Sequence, residues 1–233
     1  MDPGPLALVG SGEYLPSMLD VERALIDGRA PRYVQIPTAA APEGPARLAY
    51  WVELGRAQAG RLGVEAVPLV VTDRSEADDP DIAAQVAGAG LIYLSGGSPA
   101  VLADTLRDTA LWRAIVDAWR GGAALAGCSA GAMAMADHVP DLRHPNNGGR
   151  PGLGLLPRLR VIPHFDRMLG WIPDLMTRPL FRPPDGVTLV GVDEETALVG
   201  GPDVFTVAGH QAVWVLGDGK RRRLDVGETL VVP

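Results

Sequence analysis

The sequence predicts an α/β protein whose mainly parallel sheet carries helices on its faces, with antiparallel strands added late in the chain. Two observations predict it. Short apolar runs alternate with longer amphipathic stretches through most of the chain, and the last part changes to short β runs divided by Gly-Asp-Gly and Asp-Val-Gly turns.

The apolar runs expected as strands are residues 5–9, 33–36, 64–69, 91–94, 123–126, 158–162 and 187–192. Helical periodicity covers 47–61 and 99–120. In the second, Leu102, Leu106, Leu111, Ile115 and Trp119 recur four apart except for one step of five, and so form one apolar face. Residues 203–207, 212–216 and 228–232 read as antiparallel strands added at the sheet edge. The Pro/Gly/Asn-rich stretch 144–157 and the stretch 171–185 read as irregular loops. Open α/β sheets bind ligands beyond the carboxyl ends of their strands, so the residues following each run carry the functional information.

With 233 residues, 47% hydrophobic and 21% charged, the expectation is one domain, 1–233, around one sizeable core. A net charge of -7 argues against nucleic acid as a partner, because phosphate binding needs clustered Lys and Arg. Cys128 is the single cysteine, which excludes an intramolecular disulfide and a cysteine-rich metal site. The first residues carry no positive charge, and the apolar run 6–9 is too short for a signal core or a membrane span. A cytoplasmic protein without membrane attachment is expected.

Strand 123–126 leads into Gly127-Cys128-Ser129-Ala130-Gly131, a G-x-S-x-G turn followed by a helix-compatible run. Small residues on both sides of Ser129 let the chain turn sharply enough to present a strained, exposed hydroxyl at a helix start. A plain glycine turn in which Ser129 only caps the helix is the simpler alternative. Cys128 is a rival nucleophile by chemistry, but Ser129 holds the place between the two glycines, which leaves Cys128 as a small buried hydrophobe. Ser95-Gly96-Gly97-Ser98 follows strand 91–94, and Gly97 N–H with Ala130 N–H would make an oxyanion hole.

Among the four histidines, His164 directly follows an apolar run, in Ile162-Pro163-His164-Phe165, and is the expected base. His138 and His144 belong to a polar loop and His210 to the late β region. Glu194, again just after a strand, is the expected orienting acid, with Asp193 its nearest competitor. Asp137 and Asp141 are expected at the far end of the helix that starts at Ser129. Val9-Gly10-Ser11-Gly12-Glu13 has Leu15 where a dinucleotide turn needs its third glycine, and no His/Asp/Glu group has metal-ligand spacing. No cofactor or metal is expected.

Gly96-Gly97, Gly127-Cys128-Ser129-Ala130-Gly131-Ala132, Pro163-His164-Phe165 and Gly191-Val192-Asp193-Glu194, in this order, resemble the dipeptidase E and cyanophycinase family of serine peptidases. The likeness extends from Val9-Gly10-Ser11-Gly12-Glu13 through Ile36-Pro37-Thr38-Ala39 to the closing β region. It implies a three-layer, doubly wound fold like that of class I glutamine amidotransferases and a Ser129–His164–Glu194 triad. The implied activity is cofactor-independent hydrolysis of small peptides next to an aspartyl residue.

Pro163 and Thr177-Arg178 are similar to the dipeptidase branch, where an arginine in this region faces the substrate's acidic group, and Arg178 with Arg182 would make a carboxylate fork. Asp166-Arg167-Met168-Leu169-Gly170-Trp171 departs from the arginine cluster that follows the histidine in cyanophycinases. An N-terminal Asp-X dipeptidase is therefore the leading expectation. A cyanophycinase-like β-aspartyl hydrolase and a non-catalytic module binding a small ligand are the alternatives.

Overall fold

A computed structural model describes residues 2–141, 148–168, 183–217 and 220–233. Its first part alternates as β1 (Leu6–Val9), α1 (Leu19–Ile26), β2 (Arg32–Ile36), α2 (Pro45–Leu62), β3 (Glu65–Pro68), α3 (Arg74–Ala77), α4 (Pro80–Ala84) and β4 (Leu91–Leu94). It continues with α5 (Pro99–Leu106), α6 (Ala110–Arg120), β5 (Ala124–Cys128) and α7 (Ala130–Ala134). The later part is β6 (His138–Val139), β7 (Arg150–Pro151), β8 (Leu159–Ile162), α8 (Phe165–Met168) and β9 (Thr188–Val192). It closes with β10 (Thr196–Gly200), β11 (Val204–Gly209), β12 (Val213–Gly217), β13 (Lys220–Leu224) and β14 (Thr229–Val231).

Eight strands form one sheet in the order β14-β11-β10-β1-β5-β4-β2-β3. The five from β1 to β3 pair in parallel, and β10, β11 and β14 extend the sheet antiparallel from β1. Both faces of the parallel half are buried, and its side chains alternate between two apolar layers as a period of two requires. Leu6, Leu8, Val34, Ile36, Ile92, Leu94 and Leu125 join the layer that holds the apolar residues of α5 and α6. Ala7, Val9, Tyr33, Leu91, Tyr93, Ala126 and Cys128 join the layer that holds Leu25 of α1 and Ala59 of α2. The helix after β1 and the helix after β5 thus leave the sheet on opposite faces, and a crevice opens between the carboxyl ends of these neighbouring strands.

The apolar face expected over 99–120 exists, but on two helices. The chain breaks at Arg107-Asp108-Thr109, with Asp108 at φ 63° and Thr109 Oγ1 accepting the N–H of Trp112 to start α6. The break falls within the single step of five, and it returns Leu111, Ile115 and Trp119 to the layer that Leu102 and Leu106 face.

The late strands divide differently from the expectation. Residues 158–162 and 187–192 do not join the main sheet. They become β8 and β9 of a second, four-stranded sheet ordered β13-β12-β9-β8, which also takes the strand expected at 212–216. Four strands were not anticipated: the two-residue pair β6 and β7, β10, which follows β9 but joins the main sheet between β1 and β11, and the arginine-rich β13. The helix starting at Ala130 ends at Ala134, so Asp137 follows it directly and pairs with Arg160 at 3.5 Å. Among the described residues, no helix is long and apolar enough to cross a membrane.

Candidate active site

The elbow after β5 is held by glycine contacts. A Cβ on Gly127 would lie 2.5 Å from the Gly131 carbonyl carbon, and one on Gly131 would lie 2.3 Å from the Leu94 carbonyl oxygen of β4. Both positions must therefore lack a side chain for α7 to pack against the strand it leaves. Between them Ser129 stands at φ 49°, ψ -104°, a conformation costing about 1–3 kcal/mol for a residue with a side chain. Its N–H is tied to the Val9 carbonyl at 2.9 Å, and its hydroxyl caps no helix N–H, contrary to the simple capping alternative.

Two further strained residues lie opposite: His164 at φ 48° after β8 and Glu195 at φ 51° after β9. Phe165 is fully buried and seats the first turn of α8, with its ring where a Cβ on Gly191 would otherwise be, at 2.3 Å. This close approach aims His164 back at the main sheet. His164 Nε2 lies 3.2 Å from Ser129 Oγ, and His164 Nδ1 lies 3.1 Å from Glu194 Oε1. Three residues expected from separate motifs thus meet in one hydrogen-bonded chain that crosses from one sheet to the other.

Asp193 points elsewhere. It is buried, accepts from Trp214 Nε1 at 3.0 Å and from the Ala212 N–H at 3.3 Å, and burial pushes its carboxyl above the usual range. Of the two neighbouring acids, Glu194 is the one in contact with His164.

Gly97 is exposed at φ 135°, and a Cβ there would strike the Ala39 carbonyl oxygen at 2.4 Å. Neither its N–H nor that of Ala130 has a backbone acceptor among the described residues. Ala130 follows Ser129 directly, and a Cβ on Gly96, the residue before Gly97, would lie 3.7 Å from Ser129 Cβ. Arg178, Arg182 and His144 lie outside the described residues. His210 binds the Ser17 carbonyl, and His138 sits on β6, where burial lowers its basicity.

Several side chains around this chain of contacts were unassigned in the sequence. Asp166 Oδ1 accepts the Glu194 N–H at 3.0 Å, and Arg167 Nε approaches Glu194 Oε2 at 3.3 Å. Gln211 donates to the Glu194 carbonyl at 3.0 Å. The signal for Asp166 and Arg167 was their position one turn after the histidine, whereas nothing in the pattern around Gln211 points to Glu194. Cys128 is fully buried beside the elbow, as expected, but it is more than an apolar filler. Its thiol donates to Glu13 Oε2 at 2.8 Å, and burial, reinforced by Glu13, pushes its pKa well up, so it stays a neutral thiol.

Comparison with known proteins gives a consistent picture. The model of a family described as Peptidase family S51 matches residues 6–207. Cyanophycinases from Trichormus variabilis and from a Nostoc species are each 30% identical over 152 residues, covering 59% of this chain and 48% of theirs. The chain spans about half the length of these curated relatives. The crystal structure of a peptidase from an acI-B1 Actinobacterium is similar at 44% identity with a TM-score of 0.89, covering 98% of this chain and 97% of the other. A putative Peptidase E protein from Listeria monocytogenes shares the fold at 17% identity with a TM-score of 0.59, over 96% of this chain and 100% of that one.

Proposed function

We propose, for a chain that belongs to peptidase family S51, that it is a serine peptidase hydrolysing small peptides at an aspartyl residue through an acyl-enzyme on Ser129. The observation that carries this reading is the continuous contact Ser129 Oγ, His164 Nε2, His164 Nδ1, Glu194 Oε1, at 3.2 and 3.1 Å. In this reading His164 Nε2 takes the hydroxyl proton as Ser129 Oγ attacks the scissile carbonyl. Glu194 holds the Nδ1–H tautomer and offsets the charge of the imidazolium that forms. Gly97 N–H and Ala130 N–H receive the oxyanion, and the imidazolium returns its proton to the departing amine. Water then repeats the sequence on the ester and frees the carboxyl product and Ser129.

Substrate preference is the finer part. An N-terminal Asp-X dipeptidase-like specificity is supported by the sequence around Pro163, and Arg178 with Arg182 would bind the substrate carboxylate. A cyanophycinase-like β-aspartyl cleavage is the second reading, favoured by the identity to the two cyanophycinases. The proposed setting is the reducing cytoplasm, consistent with a single, buried, unpaired cysteine. The test is hydrolysis of Asp-X dipeptides and of β-aspartyl-arginine fragments by wild type and Ser129→Ala. Cleavage of the first set, lost in Ser129→Ala, is expected; cleavage confined to the second selects the other branch, and undiminished activity in Ser129→Ala overturns both.

A further inference from the structure

Glu13 is a carboxylate beside the elbow that the relay does not use. It follows β1 in the Gly12-Glu13-Tyr14 turn and reaches under the loop after β4. Oε1 accepts the Gly96 N–H at 3.0 Å, and Oε2 accepts the Cys128 thiol at 2.8 Å. Both donors are neutral, and Glu13 has no cationic partner among the described residues. A Cβ built on Gly96 would stand 2.5 Å from Glu13 Oε1 and 3.7 Å from Ser129 Cβ. Only the width of a missing side chain therefore separates an uncompensated, half-buried negative charge from the nucleophile's side chain. Its field is felt nearby: after burial itself, Glu13 is among the influences raising the buried Glu22 to about 7.

Such a carboxylate attracts a cation and repels an anion more strongly than it would in water, because partial burial weakens screening. In a peptide whose first residue is attacked, the α-ammonium sits two bonds from the carbonyl carbon that Ser129 Oγ approaches. In an internal residue the same place holds a neutral amide. Like charge also turns the substrate's acidic side chain away from Glu13, which separates the two ends of an aspartyl residue.

We propose that Glu13 is the subsite for the free α-ammonium of the residue whose carbonyl Ser129 attacks, so that the enzyme reads an unblocked N-terminus. The proposal rests on the peptidase reading above. Its test is kcat/KM for an Asp-X dipeptide, its N-acetyl form and its α-hydroxy analogue, in wild type and in Glu13→Gln, which keeps an acceptor for the Gly96 N–H. Wild type is expected to prefer the free amine by about tenfold to a hundredfold, the range of a hydrogen bond to a charged group, and Glu13→Gln to lose that preference through KM. Equal wild-type turnover of all three substrates would overturn it, and that arm needs no variant. A Glu13→Gln loss shared equally by all three would also overturn it, leaving Glu13 as a tie between Gly96 and Cys128. Failure of wild-type Ser129 to react with an uncharged phosphonate would instead overturn the peptidase reading.

Discussion

The two sheets contribute to the candidate site in different ways. In the main sheet Ser129 is placed by backbone contacts that leave no freedom: Gly127 against Gly131, Gly131 against Leu94, and the Ser129 N–H on Val9, inside a core that covers both faces of the parallel strands. The second sheet packs one face into that same core through Leu159, Val161, Val190, Val192, Val213 and Leu224, while the turn that carries His164 rests on a small separate cluster of Ile162, Phe165, Leu189 and Leu216, with Trp214 packed against it. Ser129 is thus fixed by backbone contacts within the large core, whereas the orientation of His164 depends on the small cluster around Phe165. The difference teaches that the serine can be correctly placed in a protein whose relay is broken.

The largest expected effect is Ser129→Ala, which lowers kcat/KM by about 10⁴ or more without changing Tm by more than a few degrees, since the strained φ is relieved only slightly by alanine. Next come the two acids that neighbour each other in sequence. Glu194→Gln is expected to cost about a hundredfold or more in kcat, by analogy with removing a triad's orienting group, while Asp193→Asn mainly lowers Tm through its contacts with Trp214 and Ala212. Steady-state kinetics and thermal melts on the same two variants separate these outcomes, and equal kinetic losses would contradict the assignment.

A pair of glycines tests the contrast between sheets. Gly131→Ala sets a methyl 2.3 Å from a backbone oxygen in the main core, and the expected result is a loss of stability of roughly 1–3 kcal/mol, with activity falling alongside. Gly191→Ala displaces the Phe165 ring instead, and with it the turn that aims His164. Activity is then expected to fall about tenfold or more with the smaller change in Tm. If Gly191→Ala unfolds the protein as readily as Gly131→Ala, the small cluster around Phe165 is not separable from the large core.

The smallest effect on activity concerns Glu22, which is buried, accepts from Tyr33 Oη and Gln58 Nε2, and is raised by burial from 4.5 to about 7. Below about pH 4.5 the carboxyl is protonated in both folded and unfolded chains. Between 4.5 and about 7 the folded chain holds a proton that the unfolded chain has released, so stability falls as pH rises through this window and is then level. Glu22→Gln is expected to flatten that slope, by at most about 3 kcal/mol between the two limits. Denaturant melts at pH 5 and pH 8 give the comparison.

The parallel half of the fold was legible because its strands, buried on both faces, are short continuous apolar runs, as at Leu91–Leu94. The step of five between Leu106 and Leu111 carried the helix break, but periodicity alone does not say whether a helix bends or stops there. The second sheet was not legible. A strand's sequence shows that one face is apolar, not which sheet covers it, so β8 and β9 read like further members of the main sheet. Strand β13 was hidden by Arg221, Arg222 and Arg223, of which Arg221 and Arg223 set their guanidinium groups over the Phe165 and Trp214 rings at 5.3 and 5.7 Å. The contacting residues Ser129, His164 and Glu194 were legible because each follows a strand in a distinctive turn. Glu13 was passed over because a motif weighed for dinucleotide binding and counted toward the family resemblance says nothing about the strand that will lie beside it.

The central claim is that His164, delivered by the second sheet, activates Ser129 in the first. It is tested most directly by mass-spectrometric mapping of the adduct formed with an uncharged fluorophosphonate in wild type and in His164→Ala. The account predicts one adduct, on Ser129, that forms rapidly in wild type and at least about a hundredfold more slowly without the histidine. Reaction at Cys128, or labelling of Ser129 at the same rate in both proteins, would contradict it.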